Sequence, residues 1–331
     1  SGIVRITHHV CADMEEAVVN ELLETYETGK TCVLTNTNDE AMRILGLLIK
    51  HGKRARLIQS LDGFRLYDLL EVRAFLKAID GQLCSPIISN EIWDNAKKEL
   101  LGNYNNSVCI DNMKRLISDF ETTHSVKYRS DLEEFLNESK FEDFYDERDH
   151  EIIYVSTIHK SKGREFDNVY MMLKDSEGKD NAERRALYVG MTRTKSNLYI
   201  HTNTSLFNKY SIPGVEHIID ESIYEEPSEI MLQTTHRDVV LDFFKSRKEV
   251  VSSLCSGKPL KVADGYLTVE QNGRNMRVAK FSKAFTETLE RLKNKGYILK
   301  YSEIRFIVFW KGKNDEEETP ILLNNLCFEK L

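Results

Sequence analysis

Two short segments of this 331-residue chain combine the residue types that chemistry on phosphates requires. The first, Thr157–Asp167, reads TIHKSKGREFD and sets His159, Lys160, Lys162 and Arg164 around Gly163. A glycine lets the backbone approach a ligand closely, and flanking cations suit phosphate. Glu165 could accept hydrogen bonds from a ribose hydroxyl, as acidic residues do in other nucleotide sites. The second segment, Glu183–Lys195, reads ERRALYVGMTRTK and carries Arg184, Arg185 and Arg193, read here as lying on one helix just before a strand. An arginine delivered to a phosphoryl group stabilises the charge of the transition state, an effect of ~10³–10⁵ in rate. Taken singly, either segment also has the composition of a solvated basic loop.

The elements that would position these residues alternate between strand and helix. IVRITHHV reads as a strand, with Asp13 as N-cap of a helix from Met14 to about Tyr26. TCVLTNT follows as a buried strand, Asn38-Asp39 as the cap of AMRILGLLIKHG, then strand ARLIQS and helix YDLLEVRAFLKAI. Short connections between such elements indicate a parallel sheet covered by helices. Residues 81–150 interrupt this rhythm with amphipathic patterns such as Leu132/Phe135/Leu136 and an acidic run, FEDFYDERDHE, and read as a small helical insertion. The alternation resumes with EIIYVSTIH, DNVYMML, AERRALYVGMTRT and NLYIHTN. The expected domains are therefore 1–80 and 151–210 as two parts of one α/β domain, 81–150 as the insertion and 211–331 as an accessory domain. The accessory part opens with a polar linker and one helix, DVVLDFFKSRKEVVSSL. Strand-like runs follow around the helix AFTETLERLKNKG, with Asn272-Gly273 as a hairpin turn, giving an α+β or small-barrel unit.

Composition narrows the class. Six cysteines without a CxxC or zinc spacing favour reduced thiols in a cytosol over disulfides or a structural metal. No apolar run reaches the ~18 residues of a membrane span. SGIVRITHHV has no secretion-signal layout and no initiator Met, so the chain is read as a piece of a longer protein, with Ser1 a residue that cloning could leave. The net charge of −7 argues against wrapping nucleic acid over the whole surface, but the charge is uneven. Residues 1–150 hold 18 basic and 27 acidic side chains, and residues 251–300 hold 10 and 4. That basic excess could meet phosphates or an anionic protein partner. His8-His9 is read as a surface or tag-like pair, and Phe306, Phe309 and Trp310 as filling of a small β core.

Together, in this order and at this spacing, TIHKSKGREFD and ERRALYVGMTRT resemble the fifth and sixth motifs of the UvrD/Rep/PcrA group of superfamily 1 DNA helicases, whose patterns run roughly T-x-H-x-x-K-G-L-E-F-D and E-E-R-R-L-x-Y-V-A-x-T-R-A. CVLTNTNDEAMRILGLLIKHGKRARLI resembles the opening of that family's second core domain, so the resemblance covers about residues 1–205. It implies a RecA-like parallel sheet with helices on both faces, and an ATP-dependent DNA helicase or translocase as the parent protein. Residue by residue, it implies DNA-binding roles for Thr157, His159 and Lys160, a place beside ATP for Gly163 and Glu165, and a γ-phosphate contact for Arg193, the catalytic candidate. Lys162 would be partly structural, and Arg185 would brace its motif by ion pairing. The implied cofactors are ATP and Mg²⁺, with the Mg²⁺ ligands in a first RecA-like domain of the same polypeptide. The implied partners are single-stranded or duplex DNA and that first domain, with a protein partner for the accessory domain open and no membrane.

The departures are specific. Arg164 stands where the family has an apolar residue, and no GxxxxGK[ST] loop occurs in the chain. Residues 1–331 alone are therefore expected to be inactive. Two other readings stand beside this one: the motor half of a helicase–nuclease, and a non-catalytic binding module that kept a degenerate motor domain.

Overall fold

The computed structural model of the protein describes residues 2–330 other than 26, 27, 59, 60, 62, 145–151, 209, 211 and 272. The chain divides into two units, residues 1–59 with 146–232 and residues 60–145 with 233–329.

The first unit is built on β1 (Val4–His9), α1 (Glu15–Glu24), β2 (Thr31–Thr35), α2 (Asn38–Lys50) and β3 (Ala55–Leu57). It continues through β4 (Ile153–Thr157), β5 (Phe166–Leu173), α7 (Asn181–Met191), β6 (Thr194–Thr202) and β7 (Val215–Asp220). These seven strands form one sheet in the order β3–β4–β2–β5–β6–β1–β7, parallel at every recorded pairing. Successive strand residues face opposite sides, and β5 shows why both sides must be covered. Tyr170 and Met172 join the cluster beneath α1 and α2 with Val19, Met42 and Leu48. Val169, Met171 and Leu173 join Leu187 of α7 on the other side. The expected α/β fold, a parallel sheet with helices on both faces, is what this unit has.

Several local expectations are corrected. The N-cap of α1 is Met14, without a side-chain bond, and Asp13 instead lies 3.4 Å from Lys174. Helix α2 is capped by Thr37, whose hydroxyl accepts from the amide of Glu40 while Glu40 accepts from that of Thr37. The polar stretch after 211 is not wholly linker, because 215–220 form β7 against β1, from Val4↔Val215 to His9↔Asp220. An edge strand with both faces largely exposed has no apolar alternation to betray it.

The second unit holds α3 (Leu70–Asp80), α4 (Asn90–Tyr104), α5 (Ile110–Thr123) and α6 (Arg129–Glu138). Trp93 at their centre packs edge-on against Phe75 and beside Phe120. Residues 66–80 thus lie with this unit: Leu69 bridges Val308, and Arg73 meets Glu318 at 2.7 Å. Most of the acidic run at 141–151 lies outside the described residues. After β8 (Glu229–Gln233), the segment read as one helix is two, α8 (Leu241–Lys245) and α9 (Lys248–Ser252). With β8 as its edge strand, a six-stranded antiparallel half-barrel sheet is formed by β9 (Pro259–Ala263), β10 (Tyr266–Gln271), β11 (Arg274–Lys280), β12 (Tyr297–Trp310) and β13 (Thr319–Lys330), with α10 (Lys283–Asn294) between β11 and β12. Gln271 pairs with Arg274 across a turn in which Gly273 has φ +72°, a left-handed conformation that suits glycine; Asn272 lies outside the described residues. Phe306 is buried in this sheet, while Phe309 and Trp310 are half-buried.

Candidate functional site

β4 and β5 are parallel and separated in the sheet by β2, so residues 158–165 must run from the carboxyl end of one strand to the amino end of the other. Thr157 lies level with Thr35 at the end of β2, whereas Asn168 lies level with Thr31 at its start. Such crossovers ordinarily take a dozen or more residues and a helix. This one uses eight, drawn tight by the carbonyl of Thr157 accepting from the amides of Lys160 and Ser161, and by the buried Ser161 hydroxyl donating to Ile158 O at 2.7 Å.

At the carboxyl end, Thr157 is buried. His159 is exposed and lines a cavity of about 310 Å³ with Asn36, Lys174, Asp175 and Glu183. Lys160 donates to Asn38 Oδ1 at 3.0 Å. The three residues assigned to DNA by resemblance therefore cluster with polar groups that follow β2 and β5.

At the other end, Gly163 has φ +85° and open space where a Cβ would stand, so the backbone there is bare to an approaching molecule. Glu165 is exposed and pairs with Lys195 at 3.4 Å. Arg193 is not on the helix: α7 ends at Met191, and Arg193 sits in the turn before β6. There it is clamped. Nε donates to Val189 O at 2.9 Å, Nη1 to Arg164 O at 3.0 Å and Nη2 to Thr192 Oγ1 at 3.0 Å, while its own carbonyl accepts from Phe166 N. A guanidinium has five N–H donors. Two remain, on Nη1 and Nη2, of a guanidinium held in place by the other three.

One contributor escapes the motifs. Lys30, just before β2, has its pKa lowered by burial and then by the like charges of Arg164 and Lys195, offset in part by Asp167. Repulsion among three cations beside Glu165 marks a positive locus at this edge, which an anion would relieve. No spacing rule links Lys30 to residues 134 and 165 positions later, so the sequence carries no signal for it.

Among the supporting residues, Arg185 departs from expectation. Arg185 is exposed and makes no hydrogen bond or ion pair with a described residue, whereas Arg184 donates to Gly178 O at 2.8 Å. Gly190 packs closely: a Cβ there would stand 2.5 Å from Met171 Cε, so the methionine methyl would have to shift. Away from this site, His9 is no surface residue. It is buried against His201, its Nε2 3.0 Å from His201 Nδ1 and its Nδ1 3.1 Å from Asp220, and His201 Nε2 lies 3.1 Å from Glu21. Among the described residues no cluster of three His, Cys, Asp or Glu side chains could hold a metal ion, and no helix is long and apolar enough to cross a membrane.

Comparison with known proteins bears on residues 81–205 and beyond. A probable DNA helicase II homologue of Rickettsia conorii is 26% identical over 202 residues; the alignment covers 57% of this chain, which spans only 29% of that relative's length. The crystal structure of the C-terminal domain of a possible DNA helicase from Lactobacillus plantarum WCFS1 aligns over 66% of this chain and 85% of that one, at 12% identity and a TM-score of 0.33. Residues 81–205, which contain the whole β4–β5 connection and Arg193, match the UvrD-like helicase C-terminal domain family.

Proposed function

We propose that this chain supplies the second RecA-like core domain and an accessory domain of an ATP-dependent DNA helicase or translocase of the UvrD type. In this reading it furnishes half of an ATP cleft and part of a single-stranded DNA track. The observation that carries the proposal is the eight-residue β4–β5 connection. It bears Thr157, His159 and Lys160 at one edge of the sheet, and at the other Gly163 and Glu165, tied to Arg193 through Arg164 O. A short link that is hydrogen-bonded along its length couples two edges better than a long loop does, because displacement at one end cannot be absorbed between them.

The residues present suit one side of a nucleotide. Arg193 offers two oriented N–H donors, Lys30 and Lys195 add positive charge, and Glu165 is free of burial to accept from a hydroxyl. ATP, when bound, brings a transferable phosphoryl group whose charge Mg²⁺ shares; the Mg²⁺ ligands and the phosphate-cradling loop would come from a first RecA-like domain. Arg193 acts by position. Charge on the transferring group grows toward the transition state, so a pre-aligned guanidinium is worth more there than in the ground state.

The test uses the full-length protein. Arg193→Ala should lower kcat by about 10³ or more, the range for a lost arginine finger, with nucleotide affinity largely kept. Glu165→Ala should instead mainly weaken ATP binding. A kcat for Arg193→Ala within about threefold of wild type, well short of that range, would remove Arg193 from the transition state.

A further inference from the structure

The basic excess at 251–300 acquires geometry in the second unit. In the β9–β10–β11 ladder, Lys261, Thr268 and Arg277 are cross-strand neighbours, and so are Ala263, Tyr266 and Lys280. Cross-strand neighbours share a sheet face, and the register places Lys261, Arg277 and Lys280 on the same face as Tyr266. All three cations are exposed. The opposite face carries Leu267 and Ala279, both buried. The aromatic partners are built into the patch. The Arg277 guanidinium lies 4.2 Å from the Tyr266 ring centroid, Lys280 Nζ lies 5.6 Å from it, and Phe243 packs beside it with a 5.7 Å centroid separation. Arg247 in turn reaches over Phe243 and donates to Arg277 O.

We propose that this sheet face is a binding surface for single-stranded nucleic acid, separate from the β4–β5 connection and independent of the helicase reading. Charge and shape both favour that partner. Among the described residues of these three strands Glu270 is the one carboxylate, and it is engaged by Lys261 at 3.7 Å, so the face presents net positive charge. An acidic protein would be met by the cations alone and would give the half-exposed rings no purpose. A single strand uses both features, since its phosphates meet the lysines while its bases stack on aromatic rings or on a guanidinium plane. Arg277, already held over Tyr266 at 4.2 Å from the ring centroid, can meet a base without first being ordered.

The measurement is anisotropy of fluorescein-labelled dT20 with residues 1–331 across a salt series. The triple variant Lys261→Ala/Arg277→Ala/Lys280→Ala changes only exposed side chains, and its fold can be checked by its unchanged melting temperature. It should bind at least about tenfold more weakly at low salt. Its slope of log K against log salt should be shallower by roughly 2, since each single-strand phosphate contact contributes ~0.7. Arg277→Lys, which keeps charge but loses the planar guanidinium over Tyr266, should weaken affinity with little change in slope. A triple variant matching wild type in both quantities would overturn the proposal, as would no dT20 binding by wild type at low salt. Equal competition by polyglutamate of matched charge would overturn it too, leaving a general polyanion surface. The triple-variant comparison bears on this face alone, and none of these outcomes touches the Arg193 test above.

Discussion

His9 stands in a buried row of two imidazoles flanked by carboxylates, Asp220 on one side and Glu21 beyond His201. Burial and the neighbouring imidazole lower its pKa to about 4, although Asp220 and Glu21 pull the other way. The unfolded chain would take up the proton near pH 6.5, so the neutral folded form contributes stability above that pH. That stability is lost as pH falls from about 6.5 to about 4. Thermal melts should therefore show the stability of the first unit declining across this window. The loss should be roughly 1–2 kcal/mol, once the ~1.4 kcal/mol per pKa unit is discounted for screening. His9→Gln should flatten the decline within the window; an unchanged pH profile in that variant would assign the effect elsewhere. At this scale a motif fixed the residues and their spacing at Gly163, Glu165 and Arg193, and their roles stay with the Arg193 and Glu165 tests above. The sequence was opaque for His9 and Lys30, whose partners come from strands that meet only in the folded sheet.

Among the elements, α7 shows what a single small residue holds. Gly190 is buried against β5, and a Cβ there would stand 2.5 Å from Met171 Cε and 3.6 Å from Ile158. Met171 is itself fully buried, so it can give way only by moving its neighbours. Gly190→Ala should cost ~1–3 kcal/mol, the usual range for overpacking a core. It should also displace the turn that carries Arg193, because Arg193 N donates to Gly190 O at 3.1 Å. Chemical denaturation of the variant checks the cost; a change under about 0.5 kcal/mol, typical of a surface substitution, would show that α7 is not seated this closely. Strand and helix periodicity found this helix and both its flanking strands but ran the helix past its end at Met191, carrying Arg193 onto it and starting β6 late. It failed at the caps of α1 and α2, where residues one apart compete for the same role, and at α3, because an apolar helical face shows that something covers it and not which sheet does.

For the whole molecule, the division of labour between edges and units sets what residues 1–331 can do alone. The first unit's sheet has both faces covered, yet the sequence contains no GxxxxGK[ST] loop to cradle phosphates. Phosphoryl transfer depends on that cradle and on a positioned metal, because positioning and electrostatics supply nearly all of the acceleration. Arg193 can stabilise only a phosphoryl group that something else holds in line. Purified residues 1–331 should therefore show no ATP hydrolysis above a no-protein control, with or without dT20, even if dT20 binds through the second unit. In the proposed reading nucleotide affinity should also be weak, since Lys30, Lys195 and Arg193 would face one side of the phosphates only. A coupled phosphate-release assay decides the matter: DNA-stimulated turnover by this chain would mean that it holds its own phosphate-binding elements, and the assignment of Arg193 to a cleft shared with another domain would have to be abandoned.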